Sequence, residues 1–136
     1  MKNLDWQDKL LEQVVLREKV KFEWGKHDCC LFAADVVLAM TGVDYASEFR
    51  GKYSTEIGAK RLLAKANEDG LTGVLDGKFA QVDIPYVQRG DLVMVQTDAG
   101  PALGIYWAGQ SVWLQGLEGV QLFINIKDRI LKAWRV

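Results

Sequence analysis

The sequence predicts an α+β fold, helices first and an antiparallel sheet after them, from two features of its pattern. In the first half, apolar residues recur at helical spacing behind capping residues. After Gly70, glycines at 73, 77, 90, 100, 104, 109, 116 and 119 separate short apolar runs, the mark of short strands with tight connections.

Taken in order, residues 4–20 place Leu4, Leu10, Leu11, Val14 and Val15 on a helix, with Asn3 or Asp5 as its cap. An extended segment, Phe22-Glu23-Trp24-Gly25, then enters a turn. Asp28 caps a second helix over 29–41, where Ala33, Ala34, Val37 and Leu38 form the buried stripe and Gly42 is the stop. This helix is apolar on most faces and is therefore expected at the centre. A polar loop around Arg50-Gly51 leads to a third helix over 55–67, capped by Ser54 and followed by Gly70. Strands are expected at 79–82, 91–96, 102–107, 112–115, 120–124 and 131–136. Such a series favours a meander-like antiparallel sheet, curled into a half-barrel. With 136 residues and no linker, repeat or low-complexity stretch, one domain spanning 1–136 is expected.

Composition narrows the function classes. The chain is 49% hydrophobic, enough to bury a core without metal or disulfide. Seventeen basic against 18 acidic residues leave a net charge of −1, which gives no electrostatic reason for a nucleic-acid partner. No window is long and apolar enough for membrane insertion, and residues 1–13 have no signal-peptide character, so synthesis in a bacterial host cytoplasm is expected. No cofactor is expected: Gly104 and Gly109 lack the phosphate-loop pattern. Neither is a metal, since two adjacent cysteines and one histidine make no zinc-ligand spacing.

Cys29 and Cys30 are the only cysteines, and a disulfide between neighbours is strained, so their thiols serve either packing or chemistry. Cys29 in the first turn of a helix meets unpaired N–H groups and the positive end of the helix dipole, which favour the nucleophilic thiolate. Asp28 beside it opposes this weakly. His27 is the single histidine, at i−2 from Cys29, and would need a sharp backbone reversal to reach the sulfur. Asp35 and Asp91 are weaker candidate bases, one mid-helix and one at a strand start. Of the five tryptophans, 6, 24, 107, 113 and 134, those on strands are expected to pack on the sheet rather than to line a groove.

Taken together, Phe22-x-Trp24-Gly25-x-x-Asp28-Cys29, Arg89-Gly90-Asp91-Leu92-Val93 and Ala102-Leu103-Gly104-Ile105-Tyr106 resemble, in order, the motifs of the NlpC-type (papain-like) cell-wall cysteine peptidases. Arg50-Gly51-x-Tyr53 and the Ala133-Trp134 ending resemble small phage-encoded members found among tail genes. The resemblance implies Cys29 as nucleophile, vestigial or active, and Gln115 as the polar group that orients an imidazole. It puts the imidazole itself at Ala102, which has no base, and puts Phe22 where the family usually has a tyrosine. A binding cleft around Phe22, Trp24, Asp28 and Ala102 is expected. The resemblance thus implies a tail-associated structural or assembly protein without peptidase activity, its partners other phage tail proteins or a peptidoglycan peptide. The rival is a cysteine hydrolase or acyl transferase on peptidoglycan peptide bonds, served by His27 or a partner's histidine. A plain small-ligand binding domain with inert Cys29 is the third reading.

Overall fold

The computed structural model describes residues 2–136. Four helices, α1 (Trp6–Arg17), α2 (Cys29–Thr41), α3 (Glu56–Ala66) and α4 (Gly70–Lys78), precede six strands. The strands are β1 (Gln81–Val82), β2 (Leu92–Thr97), β3 (Gly100–Tyr106), β4 (Val112–Gln115), β5 (Val120–Phe123) and β6 (Ile130–Trp134). All pair antiparallel in one sheet of order β1-β6-β2-β3-β4-β5. The expected α+β class is therefore what the chain adopts, with two departures in detail.

The first departure is α4, where the sequence pattern suggested only a change to strands. One of its glycines serves packing: a Cβ on Gly73 would lie 2.0 Å from Oδ1 of Asn67, so glycine there leaves room for the Asn67 side chain at the end of α3. The second concerns topology. Strands β2 to β5 form a meander, but β6 inserts between β1 and β2 rather than extending the edge. Trp134 anchors β6 in that position: it is fully buried, and its indole N–H donates to Asp76 of α4 at 2.9 Å. Asp91, also fully buried, accepts hydrogen bonds from the Arg135 side chain and the Val136 N–H, fixing the chain end beside the start of β2.

Alternation along the strands divides the interior into two apolar layers. Leu92, Met94, Leu103, Ile105 and Trp134 face α2 and pack with Phe32, Val36, Val37 and Met40. Val93, Val95, Val112, Leu114 and Ala133 form the opposite face. As expected of a central helix, α2 buries six residues, Leu31, Phe32, Ala33, Val36, Val37 and Met40, although Leu38 of the expected stripe is exposed. On α1, Leu10 and Val14 are buried in the core and Trp6 packs against it, while Leu11 and Val15, and Leu4 before the helix, are exposed. The cap of α3 is Thr55, one residue beyond the expected Ser54, accepting from Gly58 N–H at 3.0 Å. No described helix is long and apolar enough to cross a membrane.

Candidate active site

Asp28 builds the entry to α2. Its backbone is extended, as an N-cap requires, and Oδ1 accepts from the Leu31 N–H at 2.9 Å. Oδ2 accepts from the Gly25 N–H at 3.0 Å and from the Tyr53 hydroxyl at 2.5 Å. Although only 1% exposed, the carboxylate is thus hydrogen-bonded on both oxygens, as burial demands. One side chain ties together the turn before α2, the helix itself and the loop before α3. That loop is held a second time by ions: Arg50 bonds Asp35 of α2 at 2.6 Å and Asp44 at 2.9 Å, while Arg17 of α1 takes the other oxygen of Asp35 at 2.5 Å.

Cys29 occupies the first position of α2, with its sulfur 3.9 Å from that of Cys30. The Cys30 S–H donating to it lowers the Cys29 pKa, and main-chain N–H groups of Leu103 and Cys30 add to this. Burial and the Asp28 carboxylate act the other way and are outweighed. Cys30 shows the reverse: donation to Cys29 and burial hold its thiol protonated, well above the ordinary range. The two thiols are therefore shifted in opposite directions, Cys29 down and Cys30 up.

Both thiols open onto a cleft of about 760 Å³ between α2, α3, α4 and the sheet. Trp24 and Tyr53 line it beside the cysteines, and its walls are mainly apolar, among them Val37, Leu63, Val74 and Met94. Its lysines are already paired: Lys60 with Glu56, Lys78 with Glu48 and Lys132 with Asp76.

The residues expected at the site do not all gather there. Trp24 does, and Phe22 stands behind it, its ring edge-on at 4.9 Å without lining the cleft. Ala102 does not. Its side chain packs with the Val93 and Val95 layer on the sheet face away from α2, whereas Pro101 and Leu103 line the cleft. The strand position facing Cys29 is therefore one residue off the motif alignment. Gln115 is buried, and its amide nitrogen donates to Val20 O and Gly116 O at 2.9 Å each, which braces the segment leading to Phe22. Its Oε1 is buried without a partner, and it does not line the cleft. His27 is not on the cleft wall either; it bridges Glu23 through the backbone, and Nδ1 is buried without a partner. Asp35 and Asp91 are committed to arginines. Sequence reasoning missed Cys30 as the donor to Cys29, and gave Tyr53 no role. The spacing of Cys30 from Asp28 was the available signal; the reach of Tyr53 back to Asp28, 25 residues away, had none. Among the described residues, no three His, Cys, Asp or Glu side chains cluster as a metal site.

A thiolate-prone cysteine opening a central helix against an antiparallel sheet is the arrangement of the NlpC-type fold. The chain is similar over 96% of its length to 96% of the solved NlpC/p60 domain of the peptidoglycan hydrolase SagA, with a TM-score of 0.61 and 14% identity. It belongs to the family described as a domain of unknown function, DUF6950, whose pattern matches residues 1–136. No curated protein matches it.

Proposed function

We propose that this NlpC/p60-like domain binds rather than cleaves, and that it serves as a structural or assembly protein of a phage or prophage tail. The observation that carries the first part is that, among the described residues, no histidine stands at Cys29: His27 lies off the cleft, and the strand presents Pro101 and Leu103 to it. Amide cleavage needs a proton delivered to the leaving amine, and none of these side chains supplies one. The tail setting rests on the resemblance of Arg50-Gly51-x-Tyr53 and Ala133-Trp134 to phage tail-gene proteins, and other tail proteins are the partners it implies. The solved structural neighbour is a domain of a peptidoglycan hydrolase, which makes a peptidoglycan peptide the substrate to test first.

The test is digestion of purified muropeptides by wild-type and Cys29→Ala protein, read by mass spectrometry, with no cleavage expected from either. Cleavage by wild type that is lost in Cys29→Ala refutes the reading. For the tail role, the chain is expected in purified particles, and its deletion is expected to impair assembly.

One observation favours a second reading, a cysteine hydrolase or acyl transferase with Cys29 as nucleophile. It is the place of Cys29 at the first position of α2 and on the cleft wall, where the helix N-terminus favours a thiolate.

A further inference from the structure

We propose that the cleft takes the hydrocarbon chain of a long-chain acyl thioester and that Cys29 accepts its acyl group. The inference rests on the reading that no base serves Cys29, and extends it to the chemistry such a thiol can still do.

The cleft's shape and lining argue for the chain. Its volume of about 760 Å³ lies within the ~300–1,000 Å³ range of small-ligand sites. Apolar side chains from three helices and three strands wall it, Leu31, Val37, Leu63, Val74, Met94 and Leu131 among them. Each cleft lysine is within 3.3 Å of a carboxylate, which leaves no free cation for an anionic peptide. A polar peptide would leave its amides unpaired against such walls, whereas a hydrocarbon chain loses nothing by entering.

The chemistry argues for the thioester. In hydrolysis of an amide, the departing amine must be protonated, which is the task of the missing imidazole. In thioester exchange, nucleophile and leaving group are both thiolates of similar basicity. The Cys29 sulfur attacks the carbonyl carbon, a new C–S bond forms, and the donor's C–S bond breaks. The donor leaves as a thiolate that takes one proton from water, matching the proton Cys29 released to water. Nothing is oxidised or reduced. Cys30 lies 3.9 Å from the reacting sulfur.

The test uses the full chain with palmitoyl-coenzyme A and, separately, acetyl-coenzyme A at equal concentration, followed by intact-mass and peptide mass spectrometry. One palmitoyl group is expected on Cys29, released by neutral hydroxylamine and absent from Cys29→Ser. Because each methylene buried in the cleft adds affinity, palmitoylation is expected to outpace acetylation by about 100-fold or more. Ala34→Phe, which narrows the cleft wall, is expected to slow palmitoylation more than acetylation and so to lower their ratio. If it melts early by circular dichroism, the chain-length ratio of wild type decides alone. Equal rates for the two donors, an adduct on lysines, or no adduct on Cys29 overturns the proposal. Failure of the parent reading shows separately, as Cys29-dependent cleavage of muropeptides or as steady release of free palmitate, since either requires a base at the thiol.

Discussion

The Tyr53 hydroxyl donates to the Asp28 carboxylate at 2.5 Å, across 25 residues of chain, and this bond closes the loop before α3 over the N-terminus of the helix that carries Cys29. Tyr53→Phe leaves Oδ2 of Asp28 with the Gly25 N–H as its remaining partner. A hydrogen bond to a charged group contributes about 1.5–3 kcal/mol, so a loss of that size in urea unfolding is expected. A change below the error of the measurement would show the bond to be unimportant.

The same tyrosine makes stability fall at high pH. Burial raises the Tyr53 pKa above its ordinary value, and the hydrogen bond to Asp28 with the carboxylate's charge raises it further. A pKa raised by folding contributes stability that is complete below the unfolded value, about 10 for tyrosine, and is lost as pH rises beyond it. Urea midpoints measured from pH 8 to 11 are expected to fall above about pH 10, and Tyr53→Phe is expected to remove part of that fall.

Gly25 is required by the same junction. Its φ is +83°, and a Cβ there would stand 2.1 Å from the Tyr53 carbonyl oxygen, which is backbone and cannot yield. The left-handed conformation alone costs a side chain about 1–2 kcal/mol. Gly25→Ala is expected to exceed that loss in thermal unfolding.

Cys30 tunes Cys29. Its donation is the largest cause of the lowered Cys29 pKa, so Cys30→Ala is expected to shift the pH profile of Cys29 alkylation by iodoacetamide upward. In wild type, alkylation of Cys29 is expected to set in at lower pH than that of free cysteine, with Cys30 protected. An unchanged profile in Cys30→Ala would assign the thiolate to the helix terminus instead.

The two faces of β3 give opposite expectations for a restored histidine. Ala102→His puts an imidazole into the Val93 and Val95 layer, where an unpaired polar group costs about 1–3 kcal/mol, and no gain in reactivity is expected. Leu103→His puts it on the cleft side with Cys29. A second, imidazole-dependent step is expected in its alkylation profile near pH 6–7, with some loss of stability. Muropeptide cleavage by Ala102→His would reverse this assignment of faces.

Much of the fold was legible because its signals are local. Asp28 before an apolar helix and Gly42 after it are read from neighbouring residues, and the structure shows both, the cap bond to Leu31 and φ of +81° at the stop. The strands followed from short apolar runs between glycines. Helix α4 was hidden because Gly70 read as the stop of the third helix and Gly73 and Gly77 as strand punctuation, when Gly73 in fact makes room for Asn67.

By itself, then, the sequence determined the α+β class, the central helix and a cysteine at its N-terminus, since caps, periodicity and turn residues act within a few positions. Only the tertiary structure decided what surrounds that cysteine. Strand side chains alternate with a period of two, so a shift of one residue turns Ala102 away from the cleft and Leu103 into it. Bonds such as Tyr53 to Asp28 and Gln115 to Val20 join residues 25 and 95 positions apart. Such pairings depend on how helices and sheet pack together, which no local pattern encodes.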